Sequence, residues 1–115
     1  MKALVHGTLI DGTGTDPVPD ATIAIDDDGH IADVGAGIEP PHGADVIDVS
    51  GRTIMPGLID CHVHLFLQLG DIEADALKPL TTRVLEAAER AKRTLDAGIT
   101  SIRDIGGTPQ GFKLA

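Results

Sequence analysis

Apolar and polar positions along the chain change rhythm near residue 56. Before it, short β-compatible runs alternate with turn clusters. Residues 3–10 form the first run and lead into Asp11-Gly12-Thr13-Gly14, a sequence suited to a turn. Residues 21–25 and 31–34 flank Asp26-Asp27-Asp28-Gly29, so two strands around an Asp-Gly turn predict a β-hairpin. The acidic run lacks the alternate carboxylate spacing and closing Glu of a calcium loop, which leaves the turn reading. Beyond the Gly/Pro-rich residues 35–43, residues 45–49 predict another strand, Ser50-Gly51 a turn, and residues 52–55 a lead-out.

Pro56-Gly57 marks the boundary, giving a β-rich portion over residues 1–55 and a different unit over 56–115. Residues 58–62 make a compact run suited to a buried strand, and residues 66–78 read as a loop. A helix is predicted over 79–97, opening at Pro79, a residue favoured in a first turn. Leu80, Val84, Ala87, Ala88, Ala91 and Leu95 recur at three- and four-residue spacing as one apolar stripe, with Glu86, Glu89, Arg90 and Arg93 on the solvated side. Gly98 is placed to cap the helix in a left-handed conformation. Residues 99–103 predict the next strand and residues 104–107 a loop. Strand, helix and strand form a βαβ unit with parallel strands. Such a unit cannot cover both faces of its own sheet, so further chain or partner chains are expected to complete it.

Composition narrows the function. The 115 residues carry a formal net charge of −9, with two Phe and no Trp or Tyr. A polyanion gains nothing from a phosphate backbone and has few rings for base stacking, which argues against nucleic acid. Hydrophobic residues at 42% and charged residues at 23% match a folded soluble chain rather than a disordered one. No apolar run approaches a membrane span, and the first residues are interrupted too early for a signal peptide. Cys61 is the single cysteine, so no intrachain disulfide can form; a cytoplasmic, soluble protein without a membrane partner is the expectation.

His62 and His64 form a His-x-His pair. Residues two apart on a strand face the same side, so both imidazoles can reach one metal, and imidazole suits zinc and other first-row divalent ions. Alone the spacing is weak. Its place at the carboxyl end of a buried strand in a parallel α/β unit, where such sheets put their active sites, gives it weight.

The run Ile54-Met55-Pro56-Gly57-Leu58-Ile59-Asp60-Cys61-His62-Val63-His64-Leu65 resembles the signature that opens the amidohydrolase superfamily barrel, and Thr94-Leu95-Asp96-Ala97-Gly98-Ile99-Thr100-Ser101-Ile102-Arg103-Asp104 resembles the segment around its second strand. The resemblance covers nearly the whole chain. It implies an α/β fold: an N-terminal β-sandwich portion, then the first two strands of a (β/α)₈ TIM-type barrel, incomplete in this chain. It further implies Zn²⁺ or another divalent metal, one or two ions, with His62 and His64 as ligands of the more buried one. In the family a metal-bound hydroxide attacks a carbonyl or similar carbon and a strand-eight aspartate shuttles the proton. The remaining ligands and that aspartate are expected from later strands, so no catalytic residue is assigned here and these 115 residues alone are expected to be inactive.

Around the pair, Asp60 shares the histidines' face and could orient a ligand or be a carboxylate bonded to backbone or to a cation. Cys61, facing oppositely, reads as a core residue toward the helix layer. Arg103 and Asp104 could line the substrate pocket or form an ion pair holding the loop. His6, His30 and His42 read as surface residues. Dihydroorotases and hydantoinases usually carry an arginine two residues after the second histidine, where this chain has Phe66. The wording of both motifs looks most like the imidazolonepropionase-like group, which includes Xaa-Pro dipeptidases. The leading reading is therefore a hydrolase of C–N bonds in a small amide or dipeptide, homo-oligomeric when full length. Its rivals are a non-catalytic relative kept for assembly or interaction, which the intact pair argues against, and a self-standing β-rich interaction module, which the open βαβ unit argues against.

Overall fold

The computed structural model describes residues 1–67 and 70–114. It divides into two units, Met1–Pro56 and Gly57–Ala115. The elements of the first are β1 (Lys2–Leu9), β2 (Val18–Ile25), β3 (Ile31–Ala36), β4 (Asp45–Asp48) and β5 (Thr53–Ile54). Those of the second are β6 (Leu58–Val63), α1 (Ile72–Leu77), α2 (Leu80–Asp96), β7 (Ile99–Asp104) and α3 (Gln110–Leu114).

The first unit is one five-stranded sheet built on β1. Its strand order is β3-β2-β1-β4, and β5 continues beyond β4 along β1. The expected hairpin is present: β2 and β3 pair antiparallel around the acidic turn. Asp26 closes that turn, its Oδ1 accepting from the backbone N–H of Asp28 at 3.0 Å and of His30 at 2.8 Å. The first half of β1 pairs parallel with β4 and its last two residues pair parallel with β5. Side chains on alternate positions of β1 turn inward, and Ala3, Val5 and Leu9 are buried with Ala21, Ile23 and Ala24 of β2. Leu9, Ala21 and Ile23 make the core, with Leu4, Val18, Ile25 and Ile54 packed against it.

The β1–β2 ladder slips twice, between Leu4 and Gly7 and between Gly7 and Leu9. At the slip His6 and Asp20 both take left-handed backbone conformations, φ 64° and 50°. Their side chains meet, His6 Nδ1 to Asp20 Oδ1 at 2.9 Å, and both remain exposed. His6, His30 and His42 all lie at the surface.

In the second unit β6 and β7 form a two-stranded parallel sheet, Leu58 opposite Ile99 and Val63 opposite Asp104. Gly57 is needed where the strands meet: a Cβ there would lie 1.8 Å from Thr100 Oγ1. The helix ends as its sequence predicts, with Ala97 N–H on the Arg93 carbonyl and Gly98 at φ +86°. Among the described residues no helix is long and apolar enough to cross a membrane.

Three expectations change. The loop over residues 66–78 contains α1, which Asp71 caps by accepting from Ala74 N–H at 3.0 Å; residues 68 and 69 lie outside the described set. The apolar stripe of α2 is not its buried side: Ala87 is buried, but Leu80, Val84 and Leu95 are exposed. Arg83, Glu86 and Arg90 are half-buried instead, because each is paired: Lys78 with Glu86 at 2.9 Å, Arg83 with Asp75 at 3.7 Å, and Arg90 Nε on the Leu65 carbonyl at 2.6 Å. Cys61 is exposed rather than core. The helix packs on β7, and the β6–β7 register shifts between Asp60 and Val63, so strict alternation does not carry Cys61 under the helix.

Two outcomes follow. Gly57→Ala is expected to destabilise the fold by about 1–3 kcal/mol, the usual cost of forcing an added carbon into a packed contact, as read by thermal or urea unfolding. The Asp20 hydrogen bond, together with its charge and that of Asp48, raises the pKa of His6 above 6.5, against a smaller loss from desolvation. The stabilisation from this pair is therefore complete below pH 6.5 and is lost as the pH climbs through the raised folded value. NMR titration of His6 should place its midpoint above the ordinary histidine value, and Asp20→Asn should bring it back down.

Candidate metal centre at the end of strand β6

The two histidines come together at one end of the parallel pair. His62 lies near the end of β6 and His64 just beyond it, their ring centroids 5.5 Å apart and their planes at 73°. Both open on a cleft of about 530 Å³, lined also by Leu67 and by Glu86, Glu89, Arg90 and Arg93 of α2. His62 is exposed and His64 half-buried.

Asp60 accepts from the His62 backbone N–H at 3.0 Å, so its carboxylate is bonded to backbone and is not among the residues lining the cleft. Arg103 is exposed and, among the described residues, pairs with no carboxylate. The expected Arg103–Asp104 ion pair is thus replaced by something else. Asp104 is occupied with neighbouring donors: Leu65 N–H at 3.0 Å, Gly106 N–H at 2.9 Å and the Thr108 hydroxyl. Partial burial pushes the Asp104 carboxyl up, but the bonds from Thr108, Gly106 and Leu65 outweigh it and hold the group below its ordinary value. The ring of His64 contacts the same loop, Nδ1 to the Gly106 carbonyl at 3.0 Å.

Two imidazoles opening on one cleft are a donor set that suits a divalent ion such as zinc, although a full zinc shell takes three or four protein ligands. The cleft carboxylates are already engaged. Glu86 accepts from Lys78 through both oxygens at 2.9 Å, and Glu89 sits 3.9 Å from Arg93. Among the described residues, a group of three ligand-type side chains close enough to share an ion occurs instead at Asp26, Asp28 and His30. There the Asp26 carboxylate is already used in closing the hairpin turn. Sequence reasoning missed Glu86 and Arg90 as cleft residues, since helical periodicity placed them in solvent. It also missed Gly106 and Thr108, for which the Gly-Gly-Thr turn after Asp104 was the available signal.

The model of the Amidohydrolase family matches residues 53–115. Dihydroorotase of Geobacter metallireducens is 42% identical over 67 residues, covering 56% of this chain and 15% of the relative. The crystal structure of a prolidase complexed with N-methylphosphonate-L-proline superposes with a TM-score of 0.90 at 29% identity, over 99% of this chain and 28% of the other. Molinate hydrolase gives a TM-score of 0.79 at 35% identity, over 98% and 25%. The chain therefore spans a small share of each of these proteins. Since the family model takes in more than half of its residues, both histidines and Asp104 among them, the chain belongs to the amidohydrolase family.

Proposed function

We propose that this chain supplies the first part of a metal-dependent hydrolase acting on C–N bonds in small amide or peptide-like substrates. The observation that carries the reading is the His62–His64 pair: two rings 5.5 Å apart, opening on one cleft at the carboxyl end of a parallel strand. In this reading His62 and His64 hold a divalent ion, zinc by preference, and the unit beginning at Gly57 is the opening βαβ of a (β/α)₈ barrel. The first unit is one part of a small β-sandwich. The exposed Leu58, Ile59 and Ile102 support the barrel, because strands of a closed parallel barrel are covered on both faces.

When bound, such an ion acidifies water and polarises the bond to be cut. The chain's own residues do the positioning. His64 and His62 would be the two imidazoles that hold it; the Gly106 carbonyl engages Nδ1 of His64, and Asp60 fixes the backbone of His62. The rings sit beside Arg90, whose guanidinium holds the Leu65 carbonyl and so the chain direction after the pair.

Between a dihydroorotase-like and a dipeptidase-like specificity, one observation favours the second. Phe66 stands where dihydroorotases usually carry arginine, and it is buried, with the Arg83 guanidinium 5.3 Å from its ring centroid and the Phe112 ring 5.8 Å away. It is a packing residue with no polar group to offer a substrate.

In the intact protein, His62→Ala/His64→Ala is expected to remove bound metal and hydrolase activity while leaving the circular dichroism spectrum in place. Equal metal content by elemental analysis in wild type and double variant would refute the ligand assignment. Assayed against an Xaa-Pro dipeptide and dihydroorotate side by side, the protein is expected to cleave the dipeptide faster, and the reverse order would overturn the specificity.

A further inference from the structure

We propose that Asp104 is the positioning residue that sets the ring of His64. The inference rests on the reading that His64 is a metal ligand, but it starts from hydrogen bonds that need no ion. Asp104 ends β7, and the register that puts it opposite Val63 also puts it beside the backbone that carries His64. One carboxylate then gathers three donors. Oδ2 accepts from Leu65 N–H at 3.0 Å and from the Thr108 hydroxyl, while Oδ1 accepts from Gly106 N–H at 2.9 Å. The residue after His64 and the loop after β7 are thereby tied to one group. That loop returns the contact, because the Gly106 carbonyl meets His64 Nδ1 at 3.0 Å.

The chemistry of that contact fixes the ring. A carbonyl oxygen can only accept, so Nδ1 must carry the proton. In the neutral imidazole Nε2 then keeps its lone pair, which is the form a metal ligand needs. His62 differs: among the described residues no hydrogen bond reaches its ring. The two histidines are thus unequal, one held in a single tautomer by the Asp104 loop and the other free to adjust. A carboxylate suits the task because it is acceptor-only. An amide of the same shape would turn an NH₂ toward either the Gly106 N–H or the Leu65 and Thr108 donors, and release part of the clamp.

The test uses the intact protein without metal, then with zinc alone. Long-range ¹H–¹⁵N NMR of the imidazoles is expected to show His64 as the Nδ1–H tautomer in wild type, and a mixture containing Nε2–H in Asp104→Asn. Zinc affinity is expected to fall by roughly 10–100-fold, the usual effect of removing a group that orients a ligand. Arg103→Ala, which touches none of these bonds, should change neither. If Asp104→Asn does not fold, Thr108→Val, which removes one of the three bonds, carries the same test. A His64 ring that stays Nδ1–H in the folded variant overturns the positioning role whatever the zinc result. By contrast, wild-type zinc affinity in His64→Ala would remove the ligand reading and leave the tautomer result standing.

Discussion

Everything at the histidine end depends on the parallel register of β6 and β7. Parallel strands cannot be joined by a tight turn, so residues far apart in sequence reach the same end of the sheet only through a crossover. Here that pairing sets Val63 opposite Asp104 and lets Ile105 N–H reach the Val63 carbonyl at 3.2 Å. A shift by one residue would send the Asp104 carboxylate to the other face. It would lose Leu65, and Gly106 would lose His64. Gly57 guards the opposite end, because the strand can start beside Thr100 only without a side chain.

Strands and turns were legible in the sequence wherever the local pattern and the fold agree. Asp26-Asp27-Asp28-Gly29 is a turn from its own chemistry, and the structure closes it through the Asp26 carboxylate. Pro79 and Gly98 bracket α2 for the same local reason. The His-x-His pair was visible because strand geometry puts residues two apart together. What the sequence hid depends on partners distant along the chain. Periodicity assigns Arg90 to solvent, yet the Leu65 carbonyl and Glu86 draw it inward. Alternation assigns Cys61 to a covered face, yet the register slips beside it. The helix α1 is six residues long, too short for an apolar period to stand out; its signal was the capping Asp71.

Two kinds of likeness point in different directions. A dihydroorotase is 42% identical over 67 residues, whereas the fold of nearly the whole chain superposes on a prolidase. Phe66 sits in packing, with the Arg83 guanidinium and the Phe112 ring against it.

The crossover between β6 and β7 also has a kinetic side. The first unit contains a hairpin whose strands are joined by five residues, so β2 and β3 can find each other early. The Asp104 carboxylate must instead reach Leu65 across 39 positions, and His64 must reach Gly106 across 42. Closing a loop of that length costs conformational entropy before any contact repays it, and contacts of long sequence separation slow folding. The pairing of β6 with β7 closes a loop of similar length, Leu58 against Ile99, so the strands and the ring of His64 bear the same closure cost. During synthesis His64 leaves the ribosome before Asp104 and Gly106, the residues of the loop that its ring and the next backbone N–H meet in the folded chain.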